Sequence, residues 1–344
     1  QVGGDINGEA GSDYSGWKVA MNNAGNRVLV GAIYNTGNGY RAGHARMFSY
    51  DGTNWVQMGS DIDGENAEDE FSWSAAMNGA GSRVVISAYK NDGTGTNAGH
   101  TRIFDWDGTT WNQLGSDIDA EAAEDQAGYA VSISDEGDRI AIGANYNDGA
   151  GSNTNSGHVR IYDWNGSSWV QVGSDINGEA AGDESGYSVS LNKTGNLVAI
   201  GAPKNDGTGS DGGQVRVYSY NGSSWSKLGQ DIDGETAYDY FGSSVALNDD
   251  GDRLIVGATN NSANGPSSGH IRIFDWNSSS NTWVQAGDDL DGEAAGDQSG
   301  YAIAINAFGN IIASGAPNNA GSGTGSGHVR AVSYTHLRAH ETTD

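Results

Sequence analysis

The apolar and polar positions between residues 171 and 226 spell out a unit of four short strands and no helix. Tyr187-Ser-Val-Ser-Leu191 alternates large apolar with small residues, the period of two expected of a strand. Asn192-Lys-Thr-Gly-Asn196 supplies turn residues. Leu197-Val-Ala-Ile200 is apolar throughout, which predicts a strand covered on both faces. A loop of Gly, Asn, Asp and Ser runs from Gly201 to Gly213, and Gln214-Val-Arg-Val-Tyr-Ser-Tyr220 alternates again. Asn221-Gly-Ser-Ser224 predicts a four-residue hairpin loop, after which Trp225 opens the fourth strand and faces Tyr220.

Near-copies of this unit start at Gln1, Gln57, Gln113, Gln171, Lys227 and Gln285, a period of 56 to 58 residues. The hairpin pair recurs as Tyr50/Trp55, Trp106/Trp111, Trp164/Trp169 and Trp276/Trp283, so eight of the ten Trp are register markers. Repeated four-stranded antiparallel sheets that are apolar on both faces need partners on both faces, and radial repetition provides them. The prediction is an all-β fold, a β-propeller of four-stranded antiparallel blades with six repeats visible. A stacked β-solenoid expects shorter rungs and parallel pairing, which the hairpins oppose.

The run Asp239-Tyr-Phe-Gly-Ser-Ser-Val-Ala246, followed by Gly257-Ala-Thr259, resembles the FG-GAP repeat of integrin-α-like propellers, closest to the bacterial extracellular branch of that family. Gly201-Ala-Pro203 and Gly315-Ala-Pro317 carry the second half of the motif more fully. Phe stands at 71 and 241, whereas the other repeats place Ser15, Ala127, Ser185 and Ser299 there. The calcium loop that the resemblance implies between the first two strands is missing; short turns such as Asn248-Asp-Asp-Gly-Asp252 occupy that place.

A net charge of −27 and a pI near 4.3 argue against nucleic acid and against anionic membranes as partners. Without Cys there is no disulfide and no thiol chemistry. No apolar run approaches the ~20 residues of a membrane span. Gln1 lies within a fourth-strand sequence, so Gln1-Val-Gly is expected to complete the sixth blade, and the intact protein could have seven blades. From Val332 the chain departs from the repeat, and Val332–Asp344 resembles a translated sequencing adapter. Residues 1–331 are therefore expected to form one propeller, with 332–344 a non-native tail.

Three rings of residues carry candidate chemistry. His44, His100, His158, His270 and His328 share the position Gly-His-x-Arg, where the fourth repeat has Gln214, and the Arg recurs at 46, 102, 160, 216, 272 and 330. Their repetition assigns them to the blade rather than to catalysis. At the start of the first strand stand Trp17, Trp73, Tyr129, Tyr187 and Tyr301, with Ser243 in the fifth repeat. These aromatics can pack blades together or stack on sugar rings. The loops between blades read Asp-Ile-(Asp/Asn)-Gly-Glu-x-x-x-Asp, with an apolar residue expected to anchor each one. Their oxygen-bearing positions are Asp5, Asn7, Glu9 and Asp13; Asp61, Asp63, Glu65 and Asp69; Asp117, Asp119, Glu121 and Asp125; Asp175, Asn177, Glu179 and Asp183; Asp231, Asp233, Glu235 and Asp239; and Asp289, Asp291, Glu293 and Asp297. They hold 22 of the 44 acidic residues, and alternate oxygen ligands around a Gly suit Ca²⁺. The alternative is that they cap turns and pair with the Arg ring. No Walker loop, nucleophile elbow or His-Glu-x-x-His occurs. The expectation is a non-enzymatic, monomeric, extracellular or cell-surface binding or adhesion module, calcium-stabilised, with a protein or glycan ligand. A carbohydrate-binding propeller is the alternative, and a polysaccharide-cleaving enzyme the third.

Overall fold

A computed structural model describes residues 1–149 and 154–333. Six antiparallel sheets are arranged as a β-propeller. The fourth shows how a blade is made: Ser188–Leu191, Leu197–Ala202, Gln214–Tyr220 and Trp225–Lys227 pair in that order. The all-apolar second strand is the buried centre, with Val198, Ala199 and Ile200 at most 1% exposed. Its two faces meet the neighbouring blades, so the main hydrophobic clusters span blade boundaries; one of them joins Ala199 and Val217 to Leu254 and Val256. Tyr220 pairs directly with Trp225, and the two rings lie 5.1 Å apart. The other four hairpin pairs close at 5.3–5.5 Å.

Two features go beyond the expected blade. The dipeptide of an Ile or Leu and an Asp or Asn after each fourth strand returns to the third strand of its own blade as a short ladder, as in Ile232–Asp233 against Gln214 and Val215. Ile62, Ile118, Ile176 and Ile232 are buried there, as anchors should be. The second hairpin Trp also fastens adjacent blades: its indole N–H donates to a backbone carbonyl just after the fourth strand of the preceding blade. Examples are Trp111 to Met58 at 3.0 Å and Trp225 to Val172 at 2.9 Å.

The expected closure does not occur. The Val2 carbonyl accepts the Trp55 indole at 3.1 Å, in the place that Met58 and Val172 take on their own neighbours. Gln1-Val-Gly therefore seats against the first blade, because a fourth-strand sequence carries the acceptor for the next blade's Trp. The sixth sheet has three strands among the described residues: Ala302–Ile305, Ile311–Ala316 and His328–Ser333. Blades one and six each keep a solvent-facing flank, with Val19 and Met21 at 60% and 55% exposure and Val329 at 73%. The third strand of that sheet continues through Val332 and Ser333, which pair with Ile312 and Ile311, two residues past the expected boundary. The rest of the expected tail, and its His336 and His340, lies outside the described residues.

Candidate functional site

The Arg ring ties each blade to the loop before it. Arg46, Arg102 and Arg160, all buried, donate at 2.7 Å to the carbonyls of Asn7, Asp63 and Asp119. Arg216 does the same to Asn177 at 2.9 Å, Arg272 to Asp233 at 3.1 Å and Arg330 to Asp291 at 2.9 Å. Arg160→Ala is expected to lower stability by about 1–3 kcal/mol through loss of a buried charged hydrogen bond. His158→Gln should shift it by less than about 0.5 kcal/mol, since Gln214 fills the equivalent site. Urea denaturation of both variants checks the pair; equal losses would contradict the assignment.

The four oxygen-bearing positions of one loop do not converge on one ion. The first acid is taken by the side chain four residues back: Gln1 to Asp5, Gln57 to Asp61, Gln113 to Asp117, Gln171 to Asp175, Lys227 to Asp231 and Gln285 to Asp289, at 2.6–2.7 Å. The last acid closes the turn from inside. Asp13, Asp69, Asp125, Asp183, Asp239 and Asp297, all buried, accept from Asn35, Asn91, Asn147, Asn205, Asn261 and Asn319 at 2.8–3.2 Å. The Glu reaches forward to the next blade, as Glu65 does to Arg102 at 3.5 Å and Glu179 to Arg216 at 3.5 Å. The physical reason is the Ile-Asp ladder: an extended chain separates positions two apart by about 6.5–7 Å.

What does converge comes from successive repeats. Glu9, His44 and Asp61 bring three ligand atoms within 4.8 Å of one another, and so do Glu65, His100 and Asp117; Glu121, His158 and Asp175; and Glu235, His270 and Asp289. These groups could hold a metal ion. Burial pulls His100 and His158 down to about 4, with Arg102 and Arg160 adding to the effect, so both imidazoles are neutral at neutral pH.

The aromatic ring lines a cavity of about 900 Å³ along the propeller axis. Trp17, Trp73, Tyr129 and Tyr187 follow one another around it at 5.1, 5.5 and 4.8 Å between rings. Ser243 interrupts the series before Tyr301, which is 54% exposed. The first four rings pack one on the next across the blade boundaries, and all five border the cavity. Burial raises the Tyr129 and Tyr187 hydroxyls above the usual phenol value, so both remain protonated.

Sequence reasoning missed the polar groups at the mouth. The residue after each buried Asp adopts a left-handed conformation in all six repeats, with φ of 51–56° at Tyr14, Glu70, Gln126, Glu184, Tyr240 and Gln298. Glu184, Tyr240 and Gln298 border the cavity. Glu184 is buried, which raises its pKa, and the Lys204 ammonium opposes that shift at 2.7 Å. Glu70 makes the same pair with Lys90 at 2.8 Å and accepts the Tyr89 hydroxyl at 3.2 Å. Lys18, on the first blade's inner strand, also borders the cavity. Their signal was available as variation: these positions differ from repeat to repeat while the Asp before them does not.

Residues 232–274 match the FG-GAP repeat family. No curated protein matches the chain in sequence. Among solved structures, a proposed 6-phosphogluconolactonase from Bacteroides uniformis aligns with a TM-score of 0.61 at 10% identity, over 93% of this chain and 85% of its own. Hydrazine synthase from Kuenenia stuttgartiensis aligns at 0.57 and 13% identity, over 91% and 78%. The periplasmic gluconolactonase PpgL of Pseudomonas aeruginosa aligns at 0.54 and 13%, over 92% and 85%. At these identities the likeness is one of fold. It nevertheless corrects the expectation that the chain is not an enzyme: that expectation took symmetry as a mark against catalysis. This fold carries proteins named as enzymes, and the mouth of this propeller is not symmetric.

Proposed function

We propose that this propeller of FG-GAP repeats works outside the cell as a carbohydrate-binding protein, its ligand a neutral glycan seated in the axial cavity. The observation that carries this reading is the unbroken run of Trp17, Trp73, Tyr129 and Tyr187 along the cavity wall. A sugar ring has an apolar C–H face and a polar rim. Flat aromatic side chains match the first at low entropic cost. The second is matched by Gln298, Asn260 and the Glu184–Lys204 pair at the mouth. The volume lies within the range of small-ligand sites. A net charge of −27 disfavours polyanionic glycans through long-range repulsion, and Lys90 and Lys204 are already engaged by Glu70 and Glu184. Among the described residues no helix is long and apolar enough to cross a membrane. An adhesive role is compatible with this reading, since a glycan receptor displayed on a cell surface adheres through its ligand.

A glycan-array screen followed by calorimetry is the test. Neutral oligosaccharides should bind, and Trp73→Ala should weaken the best of them at least about tenfold, or 1.4 kcal/mol. Phe308→Ala, at a side chain 84% exposed and outside the cavity lining, should leave affinity unchanged. If no neutral glycan binds, or Trp73→Ala binds as the parent does, the proposal fails.

A further inference from the structure

We propose that the Glu–His–Asp trios at the blade boundaries are sites for a divalent d-block cation of the Zn²⁺ class rather than for Ca²⁺. The trio around His270 shows why. The ring is 1% exposed, and neither of its nitrogens has a hydrogen-bond partner. Nδ1 faces Asp289 Oδ2 at 3.6 Å and Asp291 Oδ1 at 3.9 Å, too far to bond to either, and Asp291 Oδ1 is itself buried and unpartnered. The Arg272 guanidinium does not fill the gap. Its Nε and Nη2 donate to Gln285 Oε1 at 3.0 and 2.7 Å, and its Nη1 to the Asp233 carbonyl, leaving Glu235 3.9 Å away. Gln285 Nε2 in turn holds Asp289 Oδ1 at 2.7 Å, which leaves Oδ2 turned to the imidazole.

The chain contains its own comparison. The fourth repeat has Gln214 in place of the His, and the Gln that holds the Asp in the His-bearing repeats is there Lys227. Its ammonium reaches Asp231 at 2.7 and 2.9 Å. Where the imidazole is lost, an ammonium bonds the carboxylate directly; in the His270 trio the nearest cationic side chain, Arg272, stays 3.8 Å from Asp289 Oδ1 and leaves Oδ2 to the imidazole.

The ligand set selects the metal. Imidazole nitrogen favours Zn²⁺ and its neighbours, whereas Ca²⁺ takes six to eight oxygens. Tetrahedral ligands about 2.0–2.2 Å from a metal stand about 3.3–3.6 Å apart. The Nδ1–carboxylate separations across the four trios are 3.6–4.0 Å, so closure by a few tenths of an ångström completes the site.

Calorimetry on chelator-treated protein at fixed ionic strength, with Zn²⁺, Ca²⁺ and Mg²⁺ in parallel, tests the assignment. Zn²⁺ should bind with a stoichiometry near the four trios and raise the melting temperature, while Ca²⁺ and Mg²⁺ produce neither effect. His270→Gln should remove one ion per chain while leaving the melting temperature in EDTA unchanged. Gln285→Lys, which copies Lys227, should remove the same ion by placing an ammonium on Asp289. No Zn²⁺ heat, a stoichiometry that neither variant lowers, or Ca²⁺ saturating the same sites would overturn the proposal.

Discussion

Gly213→Ala is expected to cost the propeller about 3 kcal/mol or more, enough to shift its denaturation midpoint far below that of the parent. Gly213 has φ of +84° and forms a parallel bridge to Phe241 across the blade boundary. Its N–H donates to Asn205 and its carbonyl accepts Gly234, so the backbone is pinned from both sides. A Cβ built there collides with the Phe241 carbonyl oxygen and amide nitrogen. Left-handed backbone costs an L-residue about 1–2 kcal/mol, and forced overpacking adds about 1–3 kcal/mol. Gly222→Ala separates the two effects, because Gly222 has φ of +97° with nothing within 4 Å of the added carbon. Urea denaturation should show Gly213→Ala losing at least about 1 kcal/mol more than Gly222→Ala. Equal losses would mean that the blades do not approach as closely as described.

Phe241→Ala should lose about 3–5 kcal/mol, the range for truncating a buried aromatic. The side chain is completely buried, 6.2 Å from the Phe274 ring and 5.3 Å from the Arg272 guanidinium. The Arg272 side chain over the ring is the group that could move into the volume, but it is held by Gln285 and the Asp233 carbonyl. The fourth repeat solves the same position differently: Ser185 is buried, and Arg216 reaches it at 3.3 Å. A loss below about 1.5 kcal/mol would show that the fifth blade relaxes around the void.

These two residues also mark where sequence reading succeeds and stops. Strand 214–220 and its hairpin were legible because their determinants are local: alternation, a four-residue turn and one aromatic pair. The buried Phe at 71 and 241 was legible as a motif. The partners of the loop acids were not, because each of Asp231, Asp233, Glu235 and Asp239 answers to a different element. Lys227 takes the first, Gln214 the second at 3.3 Å, Arg272 approaches the third, and Asn261 bonds the last. The same four letters thus serve four tasks that only the assembled boundary reveals. The mouth was missed for the opposite reason. Attention to what repeats hides what does not, and Glu184 and Lys204 matter by departing from the pattern. The failed closure belongs with the acids: Gln1-Val-Gly reads as fourth-strand sequence, but pairing with the last blade depends on where the two ends of the arc come to lie, which no local pattern encodes.

The indole fastenings all join residues 53 to 55 positions apart, whichever boundary they cross. Each boundary therefore closes a chain loop of the same length and meets the same entropic cost, which changes only with the logarithm of that length. Such an arc behaves as a one-dimensional lattice with nearest-neighbour coupling, in which each added unit brings one intrinsic and one interfacial contribution. The grammar of this fold is consequently transferable by duplication: copying one segment of some 56–58 residues reproduces both the donor and the acceptor of a boundary. A lineage built on it can change its number of blades without rewriting any of them.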